Sequence, residues 1–235
     1  MKNQYVADIN DYRKYGLLRV LSQGGRIKIG VCWMLTTNDS RTDGKFINYL
    51  QFPNRWKHHD PELFTLLSDC IQNNERNVEY IDKTVVLKNS CYHSETLPDN
   101  PNGRIKYLNN MNERFQDTDL IFFDPDNGFE ITSRPYGRKN SSKYLFWEEL
   151  KAVFDSGKSA LIYQHFTRVP RDKFISDLAE KMMNLLVTSE VYSFRTPHVV
   201  FLLAVHPKHS AQFKESIPLV SECWNGQIKC DSHCR

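Results

Sequence analysis

The chain has 235 residues, 40% of them hydrophobic and 25% charged, with a formal net charge of +3, which suits one large α/β domain or two small ones with a genuine core. It contains no run of about 18 apolar residues, so no membrane span is expected, and its opening, MKNQYVADINDYRKYG, lacks the apolar stretch of a secretory signal. A cytoplasmic protein is expected, and that compartment argues against a disulfide framework for the six cysteines.

Residues 10–22 (NDYRKYGLLRVLS) put Tyr15, Leu17, Leu18 and Leu21 on one helical stripe, with Gly24-Gly25 as the stop. Residues 27–35 (IKIGVCWML) are β-branched and apolar over most of their length, as in a strand buried on both faces. A polar loop, TTNDSRTDG, follows. Asp60-Pro61 then opens a helix, with Asp60 as N-cap and Pro61 at the first position. Residues 78–82 (VEYID) read as a short strand, and 88–103, rich in proline and asparagine, as the longest irregular stretch.

A helix over 104–116 leads into a strand at 119–124, followed by a mobile-looking basic loop, SRPYGRKNSSKY. A helix over 146–156 ends at Gly157, and a strand occupies 159–164. A helix at 171–186 precedes a strand near 189–194, a turn at Thr196-Pro197 and a strong strand at 199–205. Alternating strands and helices predict an α/β fold with a mostly parallel, doubly wound sheet and helices on both faces. About four residues join the last two strands, too few for a crossover, so they must form an antiparallel hairpin. Residues 1–218 are expected as a single Rossmann-like domain and 219–235 as a cysteine-containing tail. Cys223, Cys230, His233 and Cys234 match no common zinc spacing, and a frayed, reduced tail is the simpler reading.

In open α/β sheets ligands bind beyond the carboxyl ends of the strands. Those ends read Thr36-Thr37-Asn38-Asp39, Ile81-Asp82, Asp124-Pro125-Asp126-Asn127 and Tyr163-Gln164-His165-Phe166-Thr167-Arg168, polar or ionisable each time. In the third, Pro125 pushes Asp124 into an extended conformation, and Gly128 permits a positive φ that turns Asp126 and Asn127 back over the strand end. The competing reading is a plain Pro-Asp-Asn-Gly β-turn. His165 is a candidate general base, metal ligand or phosphate contact, or else a half-buried histidine bonded to a backbone carbonyl.

Ahead of the first strand, Asp8 and Asp11 have a simple explanation in the helix macrodipole. Lys14 opposes that dipole, and Gly16 costs about 1 kcal/mol against alanine, so both point to contacts rather than helix stability. His58, His59 and Asp60 stand together, but adjacent histidines cannot easily face one metal, and capping already explains Asp60. Basic residues cluster at Arg55–His59, at Arg134, Arg138, Lys139 and Lys143, and at Arg168, Arg171 and Lys173. The last two clusters could contact phosphates if they share a rim, so nucleic acid is the partner considered near Arg138, Lys139 and Arg168. A protein partner is also considered, and a membrane is not.

DLIFFDPDNG, DYRKYGLLRVL and the closing hairpin VYSFRTPHVVFLLAV together resemble Rossmann-like S-adenosylmethionine-dependent methyltransferases, in particular adenine-N6 and ribosomal-RNA enzymes. The resemblance follows element order over most of residues 5–206. It implies a methyltransferase-like protein acting on nucleic acid, with S-adenosylmethionine as cofactor and Asp124, Asp126, Asn127 and His165 as the catalytic set. By the same resemblance Lys14 and Tyr15 would lie near the methionine end of the cofactor, Asp82 would hold the ribose hydroxyls, and Asp39 completes the cofactor-binding set. Two departures stand out. TTNDSRTDG replaces the expected glycine-rich loop, and Asp126-Asn127 stand where the family has proline and an aromatic ring that stacks on a flipped base. Two alternatives therefore stay open. One is an Mg-dependent nuclease or phosphodiesterase, with Asp124, Asp126 and Asp39, Asp43 or Glu130 as ligands and His165 activating water. The other is a non-catalytic methyltransferase-fold subunit of a larger nucleic-acid-handling complex.

Overall fold

The computed structural model describes residues 1–37, 44, 46–188 and 190–234. Its elements in chain order are α1 (Ile9–Leu21), β1 (Ile29–Cys32), α2 (Pro53–Trp56), α3 (Pro61–Gln72), α4 (Val78–Lys83), β2 (Ser90–His93), α5 (Pro101–Arg114), β3 (Leu120–Phe123), β4 (Gly128–Phe129), β5 (Tyr144–Leu145), α6 (Trp147–Asp155), β6 (Ser159–His165), α7 (Arg171–Leu186), β7 (Val191–Arg195), β8 (Val199–Ala204), α8 (Ser210–Cys223) and β9 (Lys229–His233). A seven-stranded sheet runs in the order β2-β1-β3-β6-β8-β7-β9. Its first four strands are parallel, β8 is antiparallel to both β6 and β7, and β9 is antiparallel to β7. The expected α/β class, the mostly parallel sheet and the reversed closing strand are therefore all present.

The central strands β1, β3 and β8 are apolar throughout because each sheet face is covered, and alternate residues serve alternate faces. Val31, Leu120, Phe122, Leu161 and Phe201 pack with Leu17 and Leu18 of α1, Leu63 and Leu67 of α3, and Phe213 and Trp224 in and just after α8. Ile121, Phe123, Ile162 and Leu202 pack with Met111 of α5, Leu150 of α6 and Met182 of α7. Gly16 lets α1 approach the end of α8, since a Cβ at this position would sit 1.8 Å from Trp224 Cζ2. The expectation that Gly16 serves a contact is met, and the contact is Trp224. Among the described residues no helix is long and apolar enough to cross a membrane.

Three expectations are corrected. VEYID is helix α4, not a strand: Asn77 caps it by accepting from the Tyr80 N–H, and Val78 and Ile81, three apart, are the buried positions. The second strand is instead Ser90–His93, inside the stretch expected to be irregular, paired parallel to β1 from Ile29↔Ser90 to Cys32↔His93. An edge strand of four residues with only Tyr92 and His93 buried leaves a weak apolar signature. The tail is not frayed, because Lys229–His233 pairs with β7 from Arg195↔Lys229 to Val191↔His233. The polar letters KCDSH hid it, since an edge strand needs few apolar residues. All six cysteines are free thiols.

Candidate active site

Asp8 opens α1 as N-cap, accepting hydrogen bonds from the Asn10 N–H (2.7 Å) and the Asp11 N–H (3.0 Å). Steps of three along a helix bring Asp8, Asp11 and Lys14 to one side. Lys14 reaches the carboxyl end of β3, where its Nζ lies 2.6 Å from Asp11 Oδ1 and 2.8 Å from Asp124 Oδ2. Asp11 Oδ2 accepts in turn from the Ala7 N–H (3.1 Å) and the Tyr15 hydroxyl (3.4 Å). All three charged residues are buried.

The DPDNG segment is more than a tight turn. Asp124 donates its backbone N–H to Cys32 O, the Asn127 N–H donates to Lys143 O at 3.0 Å, and β4 pairs with β5. Gly128 has φ +103, and a Cβ there would meet the Gln164 carboxamide at 2.1 Å. That carboxamide accepts from the Phe129 N–H (2.8 Å) and donates to Asn127 O (3.3 Å), clamping the loop onto the end of β6. Asp126 accepts from the Thr36 hydroxyl (2.7 Å), and one of its oxygens lies 2.8 Å from the Met1 amino nitrogen.

Together these groups line a cavity of about 360 Å³ whose wall includes Asp8, Asp11, Lys14, Asp124, Asp126, Asn127, Tyr163 and His165. A neighbouring cavity of about 380 Å³ lies beyond β1 and β2, lined by Thr36, Thr37, Thr96 and Asp99 and sharing Lys2 and Lys143 with the first. The turn after β1 reaches a left-handed conformation at Met34 (φ +45), although no glycine stands there.

Electrostatics follow from burial. Burial pushes Asp11 up to about 7 against the pull of Lys14, and Asp8 and Asp124 add to the rise. Burial works against the Lys14 charge, yet Asp11 and Asp124 outweigh it and hold the ammonium above the ordinary lysine range. Asp126 would rise on burial, but the Met1 amino group and Thr36 hold it below the usual carboxylate range. His165 stands exposed at the rim, and the desolvating walls around it lower its pKa despite Asp124 and Asp126.

Of the residues singled out from sequence, Asp124, Asp126, Asn127, His165 and Lys14 meet at the first cavity. Tyr15 does not line it and stands fully buried behind Asp11. Asp82 sits on α4 rather than at a strand end, and its carboxylate is taken by Trp33 Nε1 (3.3 Å) and the Ser94 hydroxyl (2.9 Å). The acidic residue that does follow β2 is the exposed Glu95. Asp39 and Asp43 lie outside the described residues. Glu130 accepts from the Trp147 N–H (3.0 Å), and His59 stacks on Trp224. Arg138, Lys139 and Arg168 are exposed. Among the described residues no group of three His, Cys, Asp or Glu side chains is placed to hold a metal ion. Sequence reasoning missed Asp11 as part of the site, and the Asp8-x-x-Asp11-x-x-Lys14 spacing was the signal for it. It also missed the Gln164 clamp.

No protein-family model and no curated protein matches the chain. Among solved structures it is similar to the crystal structure of protein LPL1258 from Legionella pneumophila str. Philadelphia 1, described by the family model DUF519. The identity is 11%, with 97% of each chain covered and a TM-score of 0.44.

Proposed function

We propose that this protein is a methyltransferase-like enzyme that acts on an exocyclic amine of a nucleic-acid base in the cytoplasm. The observation that carries the reading is Asp124: a buried carboxylate at the end of a central parallel strand, fixed through Oδ2 by Lys14 and lining a cavity. Lys14 leaves Asp124 Oδ1 to accept an N–H from a substrate amine, which orients the nitrogen lone pair into the cavity. His165 at the rim is neutral near pH 7 and can take the proton that the amine gives up. Phe129 stacks on Trp147, with ring centroids 3.9 Å apart, and so is committed to packing rather than to a flipped base. Tyr5, Phe46 and Tyr163 are the aromatic residues that line the cavity itself.

The residues present fit S-adenosylmethionine at its charged end. The carboxylates of Asp8, Asp11, Asp124 and Asp126 are the groups in this wall that would face a sulfonium cation, set among Lys2, Lys14, Lys143 and the Met1 amino group, and the left-handed turn at Met34 supplies a bend expected of glycine. Asp82 does not serve as the ribose acid, so the hydroxyls of Thr36, Thr37 and Thr96 in the second cavity are the groups left to hold the nucleoside. When bound, the cofactor supplies an electrophilic methyl group on a sulfur that departs with its bonding pair.

Calorimetry with S-adenosylmethionine, paired with transfer of labelled methyl to RNA and DNA, tests the proposal. Binding and transfer that vanish in Asp124→Ala are expected. Clean, folded protein that binds no cofactor would end this reading.

A further inference from the structure

The basic loop between β4 and β5 reads as mobile in sequence, but the fold pins it from beneath. Arg104, 0% exposed, pairs with Glu149 through Nε (2.5 Å) and Nη2 (2.8 Å), and donates to Ser141 O and Tyr144 O. Asp99 accepts from the Asn140 N–H and the Ser142 N–H, each at 2.8 Å. Asn140 is held in the left-handed region at φ +68. Fixing a polar surface loop with a buried ion pair is costly unless its position matters.

What the pinned loop positions is Lys143. This residue lines the Asp124 cavity, the threonine-lined cavity and a third hollow of about 250 Å³. The third hollow is bounded by Asn127, Arg134, Asn140, Lys143 and Tyr144, so Asn127 joins it to the Asp124 cavity. Neither the Lys143 ammonium nor the Arg134 guanidinium has an ion-pair or hydrogen-bond partner among the described residues. Two cations without counter-ions among the described residues, flanked by two carboxamides at the rim of the Asp124 cavity, match a phosphate in charge and hydrogen-bonding capacity.

We infer that Lys143 and Arg134, with Asn127 and Asn140, form the cradle for a backbone phosphate of a single-stranded nucleic acid whose adjoining base enters the Asp124 cavity. The inference deepens the proposed function and rests on it only for the base. Arg138 and Lys139, on the outer surface of the same loop, add general attraction rather than this contact.

The test is fluorescence anisotropy of labelled 12-nucleotide RNA and DNA strands with the full chain across a salt series. The variants are Lys143→Gln, Arg134→Gln, the pair, Arg138→Gln/Lys139→Gln and Lys143→Arg, each checked by thermal melting. The Lys143/Arg134 pair is expected to weaken binding about tenfold at low salt and to lower the log–log salt slope by about 1.4, some 0.7 for each lost contact on a single strand. Lys143→Arg is expected to keep the slope, and the Arg138/Lys139 pair to change affinity less than the Lys143/Arg134 pair. A folded Lys143/Arg134 double variant with unchanged affinity and slope, or a wild type that binds neither strand, overturns the inference. So does a nucleoside 5′-monophosphate that binds as tightly as the strand. Methyl transfer is read on the same samples: Lys143-dependent strand binding without transfer retires the methyl-transfer reading and keeps this one, while transfer unaffected by loss of both cations does the reverse.

Discussion

Replacing Lys14 by methionine probes the centre of the site most directly. Its ammonium stands 2.6 Å from Asp11 and 2.8 Å from Asp124, with every side chain at most 4% exposed. At an effective dielectric near 20, each contact is worth roughly 6 kcal/mol, against a desolvation cost of several kcal/mol for the ammonium. Lys14→Met strands two buried carboxylates, and a net loss of about 3–5 kcal/mol at pH 7 is expected. The pH dependence carries the argument. Asp11 is raised to about 7 even with Lys14 present, so the folded state binds its proton more tightly than the unfolded chain. Stability linked to Asp11 is therefore fully present below about pH 4 and is lost as pH climbs through 7, with a slope of at most about 1.4 kcal/mol per unit for one group. Without Lys14 the Asp11 carboxyl is raised further, so the variant goes on losing stability at pH values where the wild type has levelled off, and its deficit shrinks on acidification. Urea melts of both proteins at pH 5, 6, 7 and 8 measure it. A loss below about 1 kcal/mol, or one that does not change between pH 5 and 8, would refute the account of a buried, charge-compensated triad.

Gly16→Ala is expected to cost about 1–3 kcal/mol in a chemical melt, because its Cβ would enter the Trp224 ring. The cost should fall in a Trp224→Leu background, and additive effects would argue against this contact. Glu149→Gln leaves the fully buried Arg104 short of a charge partner, so a loss of about 3 kcal/mol is expected. Amide exchange over 138–144 should accelerate more than over β3 and β6, and uniform acceleration would contradict the pinning role. His165 should titrate below the ordinary imidazole range by NMR, and in Asp126→Asn it should fall slightly further below it, since the Asp126 charge opposes the desolvation that lowers it. A titration at or above the ordinary value would contradict that ordering. Amides within 229–233 should exchange slowly where they bond to β7, whereas rapid exchange would contradict the β9 pairing.

The central half of the fold was legible because its physics is local. Ile29–Cys32, Leu120–Phe123 and Ser159–His165 are buried on both faces and announce themselves as apolar runs, and the short link at Thr196-Pro197 dictates a hairpin. Elements at the sheet edges were not legible, since Ser90–His93 and Lys229–His233 need little apolar surface. Asp82 was misassigned because five residues are too few to separate a short strand from a helical turn, and the Asn77 cap is what marks the helix. In the site, Asp124, Asp126 and Asn127 followed from their place at a strand end. Asp11 was hidden by a second sufficient explanation, the helix dipole, and its role appears only when Lys14 is seen bridging two elements 110 residues apart in sequence. The basic loop looked mobile because composition reports its surface, while Arg104 and Asp99, which hold it, lie some forty residues away in the chain.

The seating of Trp224 against Gly16 has a consequence for the order of assembly. Helix α1, which carries Asp11 and Lys14, precedes α8 in synthesis, yet part of the surface it rests on is made by α8 and Trp224. A nascent chain lacking that stretch lacks the Trp224 surface against which α1 packs. The helix that carries Asp11 and Lys14 thus takes part of its support from a segment distant in the chain that contributes no residue to the cavity itself.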